Sequence, residues 1–148
     1  AMNARPKLVL ASGSPRRLSL INQVGIKPDA LRPADIDETP HHLESAAAYV
    51  ARMAAEKNTA ALLQWQAQHR HAPEYPILSA DTTVALGRDI LGKPADAAEA
   101  RAMLSRLAGR RHRVLTAVAI VLGVQPSPRW MPRTGRDWLI RKISFMRV

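Results

Sequence analysis

Apolar positions along this chain come in short runs, cut by small residues and prolines at intervals that suit alternating strands and helices. Leu8, Val9 and Leu10 form one such run, ended by Ala11-Ser12-Gly13-Ser14-Pro15, the pattern of a buried strand breaking into a tight loop. Ser14 is a natural N-cap and Pro15 suits the first helical position, where a missing N–H costs nothing. Leu18, Leu20, Ile21 and Val24 then recur at helical spacing, and Gly25 closes that helix. Ile26 to Ala34 reads as a second extended segment, confined to an edge or a loop by its prolines. From His42 or Leu43 to about Gln68 the pattern is helical and alanine-rich, with Ala47, Val50, Ala51, Ala54 and Ala61 along one side. Tyr75 to Ala80 predicts a buried strand leading to Asp81, followed by a second strand that ends at Gly87-Arg88-Asp89. Asp96 caps a helix over Ala97 to Leu107, with Glu99 completing a capping box and Met103, Leu104 and Leu107 giving an apolar face. Gly109 ends it. Val114 to Val124 is the clearest central strand, although Thr116 and Gly123 interrupt its apolar run. Ile140 to Val148 has the pattern of a strand with arginines on its exposed face.

Strands alternating with helices over 148 residues make one α/β domain, or a small domain with appendages, that can bury a real core. The longest apolar run is too short to span a bilayer, and no basic, apolar leader is read at the N-terminus, so a cytoplasmic protein is expected. Cysteine is absent, which removes disulfide and thiolate chemistry. The net charge of +10 invites a nucleic-acid reading, but its distribution opposes one. Residues 1–109 carry 13 basic against 11 acidic side chains, and residues 110–148 carry 9 against 1. The basicity therefore belongs to the last quarter of the chain. An aromatic content of 4% leaves few platforms for stacking bases.

Four places carry candidate chemistry, each with an ordinary structural alternative. The loop Ser12-Gly13-Ser14 at a helix N-terminus, with Arg16 and Arg17 beside it, suits a phosphate, since free N–H groups and the positive dipole end converge there. Equally, both arginines suit a solvated first turn. Asp35 to Pro40 is an acidic loop, read either as a solvated turn or as a source of oxygen ligands for a divalent cation. Glu56-Lys57, in the middle of the long helix, is by pattern most often surface decoration. Asp81, at the mouth of an apolar strand, is placed as catalytic aspartates often are in α/β proteins, and also as a turn aspartate bonding its own backbone would be.

Taken together these pieces resemble one family. Leu10-Ala11-Ser12-Gly13-Ser14-Pro15-Arg16-Arg17 is similar to the opening signature of the Maf proteins, nucleoside triphosphate pyrophosphatases once described as septum-formation inhibitors. Asp37-Glu38, Glu56-Lys57, Ala80-Asp81-Thr82, Gly92-Lys93-Pro94, Met103-Leu104, Leu107, Gly109, His112 and Thr116-Ala117-Val118 follow in the family's order, from about Lys7 to Val121. The resemblance implies an elongated mixed β-sheet with flanking helices, of the Maf/ITPase type, with two lobes around a cleft. It implies hydrolysis of nucleoside triphosphates to the monophosphate and pyrophosphate with a divalent cation, Mg²⁺ or Mn²⁺. In that reading Asp81 is the general base and a metal ligand with Glu38. Ser12, Ser14, Arg17, Lys57 and Lys93 surround the phosphates, and Arg16 and Thr82 match positions tied to base selection. Arg and Thr at those two positions resemble the subgroup acting on dTTP and UTP.

The resemblance divides the chain. Residues 1–124 form the Maf-like domain, and residues 125–148 form a basic tail rich in Pro, Arg and Trp that lacks the family's later landmarks. The C-terminal part of the second lobe is therefore expected to be missing, as a frameshift or mis-joined reading frame would leave it. Loss of those strands would expose the apolar edge of the Val114–Val124 strand unless the tail covers it through Leu139 to Val148, or a partner does. The expected partner is the nucleoside triphosphate, with a homodimer admitted and neither membrane nor nucleic acid expected. The competing reading is a non-catalytic nucleotide-binding or cell-division regulatory protein, inactive because that lobe is absent.

Overall fold

A computed structural model describes residues 8–69 and 76–121, together with the backbone of two strands at 138–140 and 144–147. Val9 and Leu10, both fully packed, form β1 (Val9–Leu10) and sit between two parallel neighbours, β2 (Ala30–Leu31) and β3 (Ile77–Leu86). β2 lies at the sheet edge, where the prolines of its segment require it to be. β3 pairs antiparallel with β4 (Asp89–Leu91) across the Gly87 turn, and along its other side with β5 (Arg113–Val121). The sheet is therefore mixed, in the order β2-β1-β3-β5, and is continued beyond β5 by Trp138–Ile140.

β6 (Trp138–Ile140) and β7 (Ser144–Arg147) both pair antiparallel with the far edge of β5. The tail thus covers the edge that would otherwise stand open, with Val121 opposite Trp138 and Thr116 opposite Ser144. Leu122 to Val124, expected in the same strand as Val121, lie outside the described residues, as does most of the remaining tail.

One face of this sheet is covered by α2 (Ala46–His69). Alanines explain how closely it lies: Ala46, Ala54 and Ala61 present only methyl groups, and Val50 fits between Leu115, Ala117 and Ala119 of β5. Close approach lets polar side chains bridge the two layers. Asn58 Nδ2 donates to the Ile77 and Ala119 carbonyls at 2.9 and 3.2 Å, and Ser79 Oγ donates to the Ala54 carbonyl at 2.6 Å. Every one of these groups is buried, so each bond answers a desolvation cost.

α1 (Pro15–Gln23) and α3 (Ala97–Leu107) begin as their sequences dictate. Ser14 caps α1 with Pro15 in its first turn, and Asp96 Oδ1 accepts the Glu99 N–H at 2.8 Å to cap α3. Their C-termini run into Gly25 and Gly109, both at positive φ.

Two expectations need correction. Asp81 does not stand at a strand end between two strands, because β3 runs unbroken through it for ten residues. Thr82 and Thr83 continue the strand, and a cation from α2 neutralises the carboxylate that would otherwise have ended it. The long helix starts at Ala46 rather than at His42 or Leu43, since Leu43 has a φ of 59° and cannot join a right-handed turn. The apolar faces of α1 and α3 are not buried: Leu20, Val24 and Leu104 are exposed, and neither helix contains a buried residue. Periodicity marks the apolar side of a helix but does not supply the layer that would cover it.

Candidate active site

β1 meets β3 only at Ile77 and Leu78, and β4 meets it only from Val84 to Leu86. Between them, Ser79 to Thr83 on that edge has no strand partner among the described residues. The cleft lies at this gap. It is walled by the loop after β1, the loop carrying Glu38, and the loop after β4 with Gly92 and Lys93.

The cleft has two connected parts. The first, about 440 Å³, is lined by Ser12, Gly13, Ser14, Arg17, Glu38, Lys57 and Lys93, among others. Ser14 N–H donates to Ser12 Oγ at 3.1 Å, and Ser14 Oγ accepts the Arg17 N–H at 3.4 Å, so both hydroxyls shape the turn into α1. A side chain at Gly13 would come within 3.3 Å of Pro33 Cβ, so the loop packs tightly against its neighbour. Three cationic side chains and a helix N-terminus against one carboxylate make this half suited to a polyanion. The second part, about 570 Å³, shares Glu38 and Lys93 with the first and adds Tyr49, Asp81, Thr82, Leu91 and Pro94.

Lys57 joins the two halves. Its Nζ lies 2.7 Å from Asp81 Oδ1 and 3.0 Å from Glu38 Oε1. Lys57 and Asp81 are largely shielded from water, whereas Glu38 is 42% exposed. Burial pushes the Lys57 ammonium toward its neutral form, but the hydrogen bonds and charges of Asp81 and Glu38 outweigh it and raise its pKa. Lys57 is therefore a fixed cation at neutral pH. Glu56, its sequence neighbour, points elsewhere and pairs with Arg52 at 3.2 Å.

Alternation along β3 separates two residues that the sequence places side by side. Ile77, Ser79, Asp81, Thr83 and Ala85 are buried toward α2, so Thr82 projects from the opposite face. There its hydroxyl lies 2.9 Å from Thr116 Oγ1, directly across the β3–β5 ladder, and accepts from Arg17 Nη2 at 3.4 Å. The cleft wraps the strand edge and is bordered by both residues. Arg16 is exposed and lines neither part of the cleft, unlike the other candidate positions. Thr116 lies in the Thr116-Ala117-Val118 motif but was given no role by it, whereas Tyr49 and Arg52 carry no motif and only their i, i+3 spacing on a helix could have linked them.

Among the described residues no group of three or more His, Asp or Glu is gathered for a metal ion. Two carboxylates do converge, Asp81 and Glu38, on the single ammonium of Lys57. That donor set fits a hard cation such as Mg²⁺, which typically takes one or two protein carboxylates and completes its shell with phosphate oxygens and water. No helix among the described residues is long and apolar enough to cross a membrane.

The family described as Maf-like protein matches residues 7–134. A dTTP/UTP pyrophosphatase of Nitrobacter winogradskyi is 56% identical over 120 residues, which is 81% of this chain and 58% of that protein. A dTTP/UTP pyrophosphatase of Cereibacter sphaeroides is 53% identical over 116 residues, 78% of this chain and 56% of that protein. This chain thus spans a little over half the length of these relatives. Among solved structures, a nucleoside-triphosphatase / dITP/XTP pyrophosphatase of Mycobacterium abscessus aligns with 95% of this chain and 70% of its own, at 14% identity and a TM-score of 0.47.

Proposed function

The chain belongs to the Maf-like family, and from that premise we propose that it hydrolyses nucleoside triphosphates, dTTP and UTP first among them, to the monophosphate and pyrophosphate. The observation that carries this reading is the Glu38–Lys57–Asp81 cluster beside a cationic pocket at a helix N-terminus. The relatives named dTTP/UTP pyrophosphatase support the substrate class.

In this reading Arg17, Lys57, Lys93 and the start of α1 hold the triphosphate and offset its charge, which would otherwise repel an incoming nucleophile. Asp81 orients a water and takes its proton as the water oxygen attacks the α-phosphorus. The bond from the α-phosphorus to the bridging oxygen breaks, and pyrophosphate leaves with the electron pair. Lys57 holds the Asp81 carboxylate in position through its 2.7 Å contact. A Mg²⁺ held by Glu38 and Asp81 would add charge neutralisation on the phosphates. Thr82, on the other face of β3, borders the space left for the base. Arg16 has a weaker place in this scheme, given its exposure. A cytoplasmic setting, a role in septum formation and a homodimer belong to the same reading through the family resemblance.

Pyrophosphate release from dTTP and UTP in the presence of Mg²⁺ tests the proposal. Binding of the nucleotide without release of pyrophosphate contradicts it.

A further inference from the structure

Glu38 sits in a long irregular segment between β2 and α2, yet it reaches Lys57 on the helix. The cause lies one and two turns earlier on α2. Tyr49 Oη donates to the Glu38 carbonyl at 2.6 Å, and Arg52 Nη2 donates to the Thr39 carbonyl at 3.1 Å. Lys57 then binds the Glu38 carboxylate itself. One helix face thus grips a single acidic residue by its backbone, by the backbone of its successor and by its side chain.

Both donors are themselves held. Tyr49 is buried, and its ring lies under the Arg52 guanidinium at 5.7 Å. Arg52 is fixed by two bonds to Glu44, each 2.8 Å, and by Glu56. Glu44 in turn accepts the His41 N–H at 3.0 Å, and Asp37 Oδ1 accepts the Thr39 N–H at 3.0 Å. Burial, and then the charges of Asp81 and Glu38, raise the Tyr49 pKa, so the phenol stays a donor across the neutral range.

We propose that Tyr49 and Arg52 are positioning residues that lock the Glu38 backbone, and through it set how tightly the Glu38–Asp81 carboxylate pair takes a divalent cation. The proposal rests on the pyrophosphatase reading for its role in turnover, but not for its effect on cation binding. Arg52 lines neither part of the cleft, and Tyr49 borders only the second. Their contribution is to keep the Glu38 carboxylate aimed at the cluster before a cation arrives; partners of this kind typically control about 10–100-fold in metal affinity.

The test uses the full chain, with Mn²⁺ as the probe and a non-hydrolysable α,β-imido triphosphate as the nucleotide. Tyr49→Phe removes only the hydroxyl. It should weaken Mn²⁺ binding, read by electron paramagnetic resonance, by about 10-fold. Amide hydrogen exchange should quicken within residues 36–45, while the core strands keep their protection. In a Glu38→Gln background the same change should add nothing, because Tyr49 acts through Glu38. Unchanged Mn²⁺ affinity in Tyr49→Phe, or additive effects in the double variant, would overturn the proposal. Should core exchange also quicken, Arg52→Lys serves as the second variant: it keeps the charge beside Glu44 and loses the fork that reaches Thr39, and the same shift and the same non-additivity are required of it. Pyrophosphate release by the unaltered chain is measured alongside. If it is absent while Mn²⁺ affinity still follows Tyr49, the hydrolase reading falls and the positioning role stands. If it is present while Mn²⁺ affinity ignores Tyr49, the positioning role falls alone.

Discussion

Lys57 Nζ and Asp81 Oδ1, 24 residues apart in sequence, lie 2.7 Å apart. They meet because the alanine face of α2 lets the helix lie against β3, and because Asp81 has the strand parity that faces it. Removing the cation leaves two carboxylates without a partner. Lys57→Met is expected to lower stability by about 3 kcal/mol, the lower end of the cost of breaking a buried pair, since Glu38 can turn to solvent. Adding Asp81→Asn to that variant should recover part of the loss. Urea unfolding of the two single variants and the double variant checks this, and additive losses would mean the two groups are not coupled.

Lys57 also gives a pH expectation. Its pKa is raised in the folded state, so its stabilising contribution is complete below the ordinary lysine pKa and declines only as pH climbs through the raised value. Wild type and Lys57→Met should therefore keep a constant difference in unfolding free energy from pH 6 to 9, measured by urea titration. A difference that shrinks within that range would contradict the assignment.

Glu44 supplies the opposite case. The Arg52 hydrogen bonds hold its pKa down at about 2. A depressed carboxylate contributes stability above its ordinary pKa and loses it as pH falls toward the folded value. Thermal midpoints should drop from about pH 4.5 downward, and Glu44→Gln should flatten that part of the profile. An identical acid profile in the variant would show that the Glu44–Arg52 pair is not what titrates.

Asn58 ties α2 to two strands at once, through the carbonyls of Ile77 and Ala119. Asn58→Ala should cost roughly 1–3 kcal/mol, the usual range for leaving buried acceptors without a donor. Calorimetry measures it. A neutral substitution would mean the bridge does not hold the layers together.

Local chemistry was readable from the residues, and long-range pairing was not. Ser14 with Pro15, and Asp96 with Glu99, announce helix starts because a cap and its target are three residues apart. Lys57 looks like any surface lysine on a helix; its role entered through family resemblance, and its partners belong to a loop and a strand far along the chain. Asp81 suggested a strand end because a carboxylate inside a strand needs a partner that alternation alone cannot show. Tyr49 was silent for a different reason, since the group it binds is a backbone carbonyl that carries no sequence identity. The apolar stripes of α1 and α3 were legible as stripes, yet Leu20 and Leu104 remain exposed.

The most direct measurement is pyrophosphate release from dTTP and UTP with Mg²⁺, run on this chain beside Asp81→Asn. The account predicts release by the unaltered chain and a loss of about 10²–10⁴-fold in the variant, with its circular dichroism and unfolding midpoint retained. Equal turnover by both proteins, or no release by a folded wild-type chain that binds the nucleotide, would contradict it.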